Sequence, residues 1–189
     1  MEQLIFKFPF SKKYFEQDFF VSSNNFSAFK LIEEWPTWPG KWLNIFGESG
    51  SGKTHLAKIL EKKINNTKLI DAKDIDNEVV QEMVTFDCLI IDSFKNDIDE
   101  KLLYSILNQS KRFENYVLII STLSIKEKKF KLNDLQSRMN SFLYFGIELP
   151  TDDLLKVIIS KTLSEKQINI NPKILDFILN NVERSYDKM

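Results

Sequence analysis

Short, continuous apolar runs alternate along the chain with longer stretches in which apolar positions recur three and four residues apart. Trp42 to Phe46, Thr67 to Asp71, Asp87 to Asp92 and Tyr116 to Ser121 are the clear runs, and Phe142 to Leu149 holds a candidate fifth. The third run, DCLIID, and the fourth, YVLIIS, place apolar residues at consecutive positions, so neither face of such a strand can meet water. Lys53 to about Ile64 reads as a helix. Leu102, Leu103, Ile106 and Leu107 recur at helical spacing after Asp99, a candidate N-cap. Strands buried on both faces and separated by helices predict an α/β fold built on a five-stranded parallel sheet with helices on each side.

Beyond Pro150 the pattern turns wholly helical. Leu154, Leu155, Ile158, Ile159 and Thr162 form one stripe, with Asp152 and Asp153 at the positive end of the helix. Asn171-Pro172 opens a second helix that carries Ile174, Leu175, Ile178, Leu179 and Val182. The reading is an extended arm over 1–10, an α/β domain over 11–150 and a small all-helical lid over 151–189, its last helix expected to be short or missing.

Composition narrows the function classes. A chain of 189 residues with 43% hydrophobic content supports one sizeable core, and a formal net charge of −1 gives no global positive field for nucleic acid. The single cysteine, Cys88, lies within an apolar run and predicts a core thiol in a reducing compartment. The start, MEQLIFKFPF, begins with an acid and is broken by Lys7 and Pro9, unlike a secretory leader, and no run approaches a membrane-spanning length. A cytoplasmic location, away from any membrane, is expected.

The densest chemical signal is Gly47-Glu48-Ser49-Gly50-Ser51-Gly52-Lys53-Thr54, which fits G-x4-G-K-[ST] between a strand and a helix. Glycines let the backbone curl so that successive amides face a phosphate, and the following helix adds its positive end. In such a loop Lys53 reaches the β- and γ-phosphates and the Thr54 hydroxyl ligates Mg²⁺. Asp92, closing the third apolar run, is the carboxylate candidate for the same ion. Ser93 follows where many P-loop ATPases carry an acid to orient the attacking water, and serine cannot act as that base. No guanine-reading N-K-x-D motif is present, and three arginines against twenty-three lysines argue against a small-molecule kinase, whose transferred phosphate needs several arginines.

Two of the three arginines stand in suggestive places. Arg138 lies in NDLQSRMNSF, where Asn133 is read as a helix cap with Gln136 at the capping-box position, and Leu135, Met139 and Phe142 share a face with Arg138 at its margin. It is either a surface arginine beside a packed helix or a finger supplied to a neighbour's ATP. Arg184, in VERSYDKM, could reach phosphates from the lid side, and Arg112 reads as a solvated helix residue.

Taken in order, these segments resemble the DnaA branch of the AAA+ ATPases. GESGSGKTHLA is similar to its nucleotide loop, and FDCLIIDS to its Walker B strand. Asp18-Phe19-Phe20-Val21 followed by Asn25 is similar to the segment that runs beside adenine, which implies base contacts for Phe20 and Val21. LIIST resembles the strand ending in sensor 1, at Thr122; DLQSR resembles the arginine-finger box and ERSY the sensor 2 segment. Within the branch the chain looks like the Hda type of regulator. No helix-turn-helix is read after the lid helices, so no direct sequence-specific DNA binding is expected. Gln3-Leu4-Ile5-Phe6-Lys7-Phe8 resembles the peptide by which that type binds the β sliding clamp. Leu4, Phe6 and Phe8 alternate along an extended segment and could fill pockets on one side, with Gln3 as a polar anchor; the competing reading is an arm folded back as an edge strand. The resemblance implies ADP or ATP with Mg²⁺ as cofactors, DnaA and the clamp as partners, and the AAA+ interface as a route to homo-oligomers. It also implies stimulation of hydrolysis of DnaA-bound ATP by Arg138 in trans. Helicase loaders and transposition helpers share GKTHLA and are the alternative, as is a clamp adaptor without effect on hydrolysis.

Overall fold

The computed structural model describes residues 19–95, 98–165, 167–169 and 171–181. Five strands, β1 (Trp42–Phe46), β2 (Thr67–Asp71), β3 (Cys88–Phe94), β4 (Tyr116–Ser121) and β5 (Leu143–Gly146), form one sheet in the order β2-β3-β4-β1-β5. Every pairing is parallel. Helix α1 (Phe26–Glu33) precedes the first strand; parallel neighbours need crossovers, and α2 (Lys53–Lys63), α3 (Asn77–Glu82), α4 (Glu100–Phe113) and α5 (Asn133–Met139) supply them. Two further helices, α6 (Asp152–Glu165) and α7 (Pro172–Asn181), follow the last strand.

Alternate residues of the central strands feed two separate cores. Leu43 and Ile45 of β1, Cys88 and Ile90 of β3 and Leu118 and Ile120 of β4 face α1 and α2, where Ile32, Leu56 and Leu60 are fully buried. Leu89, Ile91, Val117 and Ile119 point the other way, against Leu103, Ile106 and Leu107 of α4 and Leu135 and Met139 of α5. Strands with both faces covered explain why their sequences read as unbroken apolar runs. Asp99 caps α4 as its sequence suggests, accepting from the amides of Lys101 at 2.8 Å and Leu102 at 3.4 Å. The helix ends at Glu114 in the left-handed conformation, whose amide returns to the Ser110 carbonyl.

The structure departs from the sequence reading in three places. Strand β3 runs on past Asp92 to Phe94, because Phe94 turns its ring into the second core and pairs with Ser121 after an irregular step. Helices α1 and α3 are additions to the sequence reading. At the start of α5, Asn133 is not the cap: the N-cap residue is Leu132, without a side-chain bond, and the Gln136 side-chain oxygen accepts from the amide of Phe130 at 3.0 Å. The carboxylate that serves this helix start comes from α4.

Cys88 is fully buried in the first core, and desolvation, followed by the charge of Asp87, pushes its thiol well above the ordinary range. A neutral, enclosed thiol is inert. Cys88 is expected to react with a thiol-specific chromogenic disulfide stoichiometrically in denaturant and not in native buffer. Equal labelling rates in both would show that the sheet does not close over it.

Candidate functional site

The C-terminal edge of the sheet gathers the phosphate-loop residues. Gly47 follows β1 directly, and its amide donates to the Ser121 carbonyl of β4 at 3.2 Å while the Ile147 amide donates to the Phe46 carbonyl at 2.7 Å. The loop therefore leaves the sheet pinned from both neighbouring strands. A Cβ on Gly47 would sit 2.1 Å from the Ile147 carbonyl oxygen, so only glycine fits. Gly50 and Gly52 take φ of 76° and 95°, the left-handed turns that curl the loop into the first turn of α2. Glu48 and Ser49 are exposed on the rim, and Ser51 is buried beneath it.

Lys53 and Thr54 open α2. The Lys53 side chain is 8% exposed and lies along the loop, donating to the Glu48 carbonyl at 2.6 Å and to the Ser51 hydroxyl at 3.2 Å. The Thr54 hydroxyl donates to Asp92 Oδ2 at 2.9 Å, across 38 residues of sequence. Two residues selected separately from the sequence are thus in direct contact. Asp92 Oδ1 accepts from the Ser93 amide at 2.6 Å, and Ser93 adopts the left-handed conformation with φ 57°. This cradle suits a nucleotide phosphate with Mg²⁺: a nearly buried ammonium, a glycine-shaped loop at a helix start, and a hydroxyl beside a carboxylate. Among the described residues no group of three or more His, Cys, Asp or Glu forms a metal cage.

Asn44, in the middle of β1, organises the adjoining corner. It is fully buried, donates to the Ile119 carbonyl at 3.0 Å and the Ser121 hydroxyl at 2.9 Å, and accepts from the Ile125 amide at 3.2 Å. Ser121 in turn donates to the Leu123 carbonyl at 2.6 Å, which folds the turn holding Thr122. Thr122 is exposed in that turn, directly after β4. Sequence reasoning missed Asn44; the signal was a lone amide inside an otherwise apolar strand.

The segment from Phe19 to Asn25 meets helix α6 and the connection that leads into it. Phe19 stacks on Phe29 with centroids 5.5 Å apart and meets the His55 ring edge-on at 5.3 Å, so His55 packs against this segment. Phe20 is partly buried beneath the Lys161 ammonium of α6, 5.0 Å from the ring centre, and Val21 is 43% exposed. Asn24 ties the segment to the connection leading into α6: its side chain donates to the Leu149 carbonyl at 2.7 Å, and its own carbonyl accepts from the Glu148 amide at 3.2 Å.

Arg138 stands elsewhere. Its guanidinium donates to Asn108 Oδ1 of α4 and lies over the rings of Tyr104 and Trp42. Trp42 begins β1 and Gly47 follows its end, a separation of roughly 15 Å along an extended strand. The structure brings Lys53, Thr54 and Asp92 together and keeps Arg138 apart from them. Gln3, Leu4, Phe6 and Phe8 of the arm, and Arg184, lie outside the described residues. Among those residues no helix is long and apolar enough to cross a membrane.

Against known proteins, no family model matches the chain. The chromosomal replication initiator DnaA of Chlorobaculum tepidum is 26% identical over 162 residues, covering 74% of this chain and 33% of that protein. The chain thus spans about a third of the length of this relative. Domain III of Thermotoga maritima DnaA superposes with a TM-score of 0.75 at 22% identity, covering 95% of this chain and 85% of that domain. AMPPCP-bound DnaA from Aquifex aeolicus gives 0.74 at 21% identity, over 92% of this chain and 62% of that one. DnaI gives 0.53 at 14% identity, over 69% and 84%. The five-stranded parallel sheet with its flanking helices is the fold of the AAA+ domain of DnaA.

The helix bearing Arg138 depends on a contact the sequence conceals. Glu100 of α4 accepts from the amides of Lys131, at 2.9 Å from Oε2, and Leu132 at 3.0 Å, just before α5. The Leu132 bond first, then that of Lys131, holds the carboxyl below its ordinary pKa. A carboxyl depressed in the fold stabilises it above the unfolded pKa and loses that contribution as pH falls through the folded one. Glu100→Gln is therefore expected to be less stable than the wild type at neutral pH and to converge with it under acid, in thermal melts across pH. A constant gap at all pH values would contradict this.

Proposed function

We propose that the chain is a nucleotide-binding regulator of replication initiation, acting on DnaA, in which one edge of the sheet holds its own nucleotide and the opposite end serves a neighbour. Gly47 to Thr54 would hold the phosphates of ADP or ATP, with Lys53 neutralising their charge and Thr54 and Asp92 holding Mg²⁺. Phe20, Val21, Thr122 and Arg184 are assigned to base and phosphate contacts. When bound, Mg²⁺ supplies charge neutralisation between phosphate oxygens. Ser93 offers no general base, so the chain's own nucleotide serves to order the assembly rather than as fuel.

The observation that carries the reading is the seat of Arg138 beside Trp42, at the far end of the strand that leads to Gly47. An arginine so placed cannot reach the chain's own phosphates. It can serve ATP held by an adjoining molecule, where its charge would stabilise the transition state of hydrolysis. The resemblance in fold and sequence to DnaA supports DnaA as that molecule. Gln3, Leu4, Phe6 and Phe8 would fix the regulator on the β sliding clamp in the cytoplasm. In the complex, Arg138 would donate hydrogen bonds to the phosphoryl group being transferred to water, α4 and α5 would hold its direction, and the docked faces would exclude all but the attacking water.

The test is single-turnover hydrolysis of ATP bound to DnaA, with clamp loaded on DNA, in the presence of the wild type or Arg138→Ala. Wild type is expected to accelerate hydrolysis, approaching the roughly 10³- to 10⁵-fold typical of fingers supplied in trans, and the variant to do nothing. Equal acceleration by both would remove Arg138 from the mechanism. No acceleration by either, with clamp binding intact, would leave an adaptor.

A further inference from the structure

We propose that Asn108 is the positioning residue of Arg138, a neutral acceptor that aims the guanidinium without cancelling its charge; this rests on the trans role just described. Tyr104 and Asn108 are one helical turn apart on α4, so they share the side of the helix that meets α5. Asn108 Oδ1 accepts from Arg138 Nη2, while the guanidinium carbon lies 5.1 Å from the Tyr104 ring centre and 5.9 Å from that of Trp42. Both rings present π-faces that attract a cation.

The cradle is itself fixed from behind. Trp42 Nε1 donates to the Ser110 hydroxyl at 2.8 Å, and that hydroxyl, fully buried, donates to the Asn115 carbonyl at 2.8 Å. The Trp42 ring also packs on Phe142, with centroids 5.7 Å apart. Arg138 therefore rests on side chains that belong to β1 and α4 and cannot follow it if it swings. It opens onto a cavity of about 780 Å³ whose lining includes Lys41, Lys111, Ser137 and the acids Glu114 and Asp134, neither of which forms an ion pair with it.

The chemistry of the holding groups favours delivery of charge over structural pairing. A guanidinium has five N–H donors, and the bond to Asn108 uses one of them. A carboxylate at position 108 would satisfy the same donor and also neutralise the cation that a neighbour's phosphate needs. An amide and two aromatic faces do the first without the second. Misplacing such a group by about 1 Å can cost around a hundredfold in rate, so the aim set by Asn108 should be visible in turnover.

The experiment compares wild type, Arg138→Ala, Asn108→Ala and Asn108→Asp, each titrated against DnaA carrying ATP on clamp-loaded DNA. Asn108→Ala is expected to lower maximal stimulated hydrolysis about ten- to a hundredfold, with the concentration for half-maximal effect unchanged. Asn108→Asp is expected to fall similarly, although its melting temperature matches or exceeds that of the wild type. Wild-type maximal rates in Asn108→Ala would overturn the proposal, as would a defect confined to the half-maximal concentration, which marks a docking role. Full activity in Asn108→Asp would overturn the requirement for a neutral holder. If wild type itself gives no more hydrolysis than Arg138→Ala, the trans role fails first and the positioning role falls with it.

Discussion

Because all five strands run the same way, their C-terminal ends share one edge of the sheet and their N-terminal ends the other. Strand β1 sits between β4 and β5, and the loop that follows it is pinned to both, through Ser121 on one side and Ile147 on the other. Gly47 has no room for a side chain at that junction. Parallel pairing also brings Asp92, at the end of β3, into contact with Thr54 at the start of α2. The crossover helices run back across the sheet, so α5 carries Arg138 down to the opposite end, beside Trp42. One rule of strand direction thus separates the phosphate-loop sequence from Arg138 within one sheet.

The interior of this arrangement is not purely apolar. Asn44 is buried at the centre of β1 and spends its amide on three partners around the turn that presents Thr122. Such a residue gains little by its presence, but its loss would strand groups without water, at roughly 1–3 kcal/mol each. Glu100 plays a comparable part outside the core, supplying acceptors to the amides that precede α5. Both contacts act on the segments that shape a site rather than on the site itself.

Much of the fold was legible because strands covered on both faces must be apolar along their buried length, as β3 is from Cys88 to Ile91 and β4 from Val117 to Ile120. The phosphate loop was legible because glycine, lysine and threonine at fixed spacing have a local geometric meaning. Helix α3 was not, since six residues hold too few turns for a stripe to emerge, and α1 shows only Ala28, Leu31 and Ile32. The capping of α5 was misread for a different reason: the helix starts one residue earlier, with Leu132 at the N-cap and Asn133 already in the first turn, and the Gln136 side chain turns back to the Phe130 amide. Asn44 and Asn108 were also invisible as functional partners, because nothing in a sequence says which distant group an amide will meet. Arg138 was singled out, yet only the folded chain separates it from Lys53.

That separation admits one direct measurement: titration of ADP with Mg²⁺ by calorimetry into wild type, Lys53→Ala and Arg138→Ala. If the phosphate loop holds the chain's own nucleotide and Arg138 serves another molecule's, Lys53→Ala weakens binding by about ten- to a hundredfold, the scale of a lost charged hydrogen bond. Arg138→Ala then binds as the wild type does. Unchanged affinity in Lys53→Ala, or a comparable loss in Arg138→Ala, would contradict the division of the sheet into an edge for its own nucleotide and an end for its neighbour's.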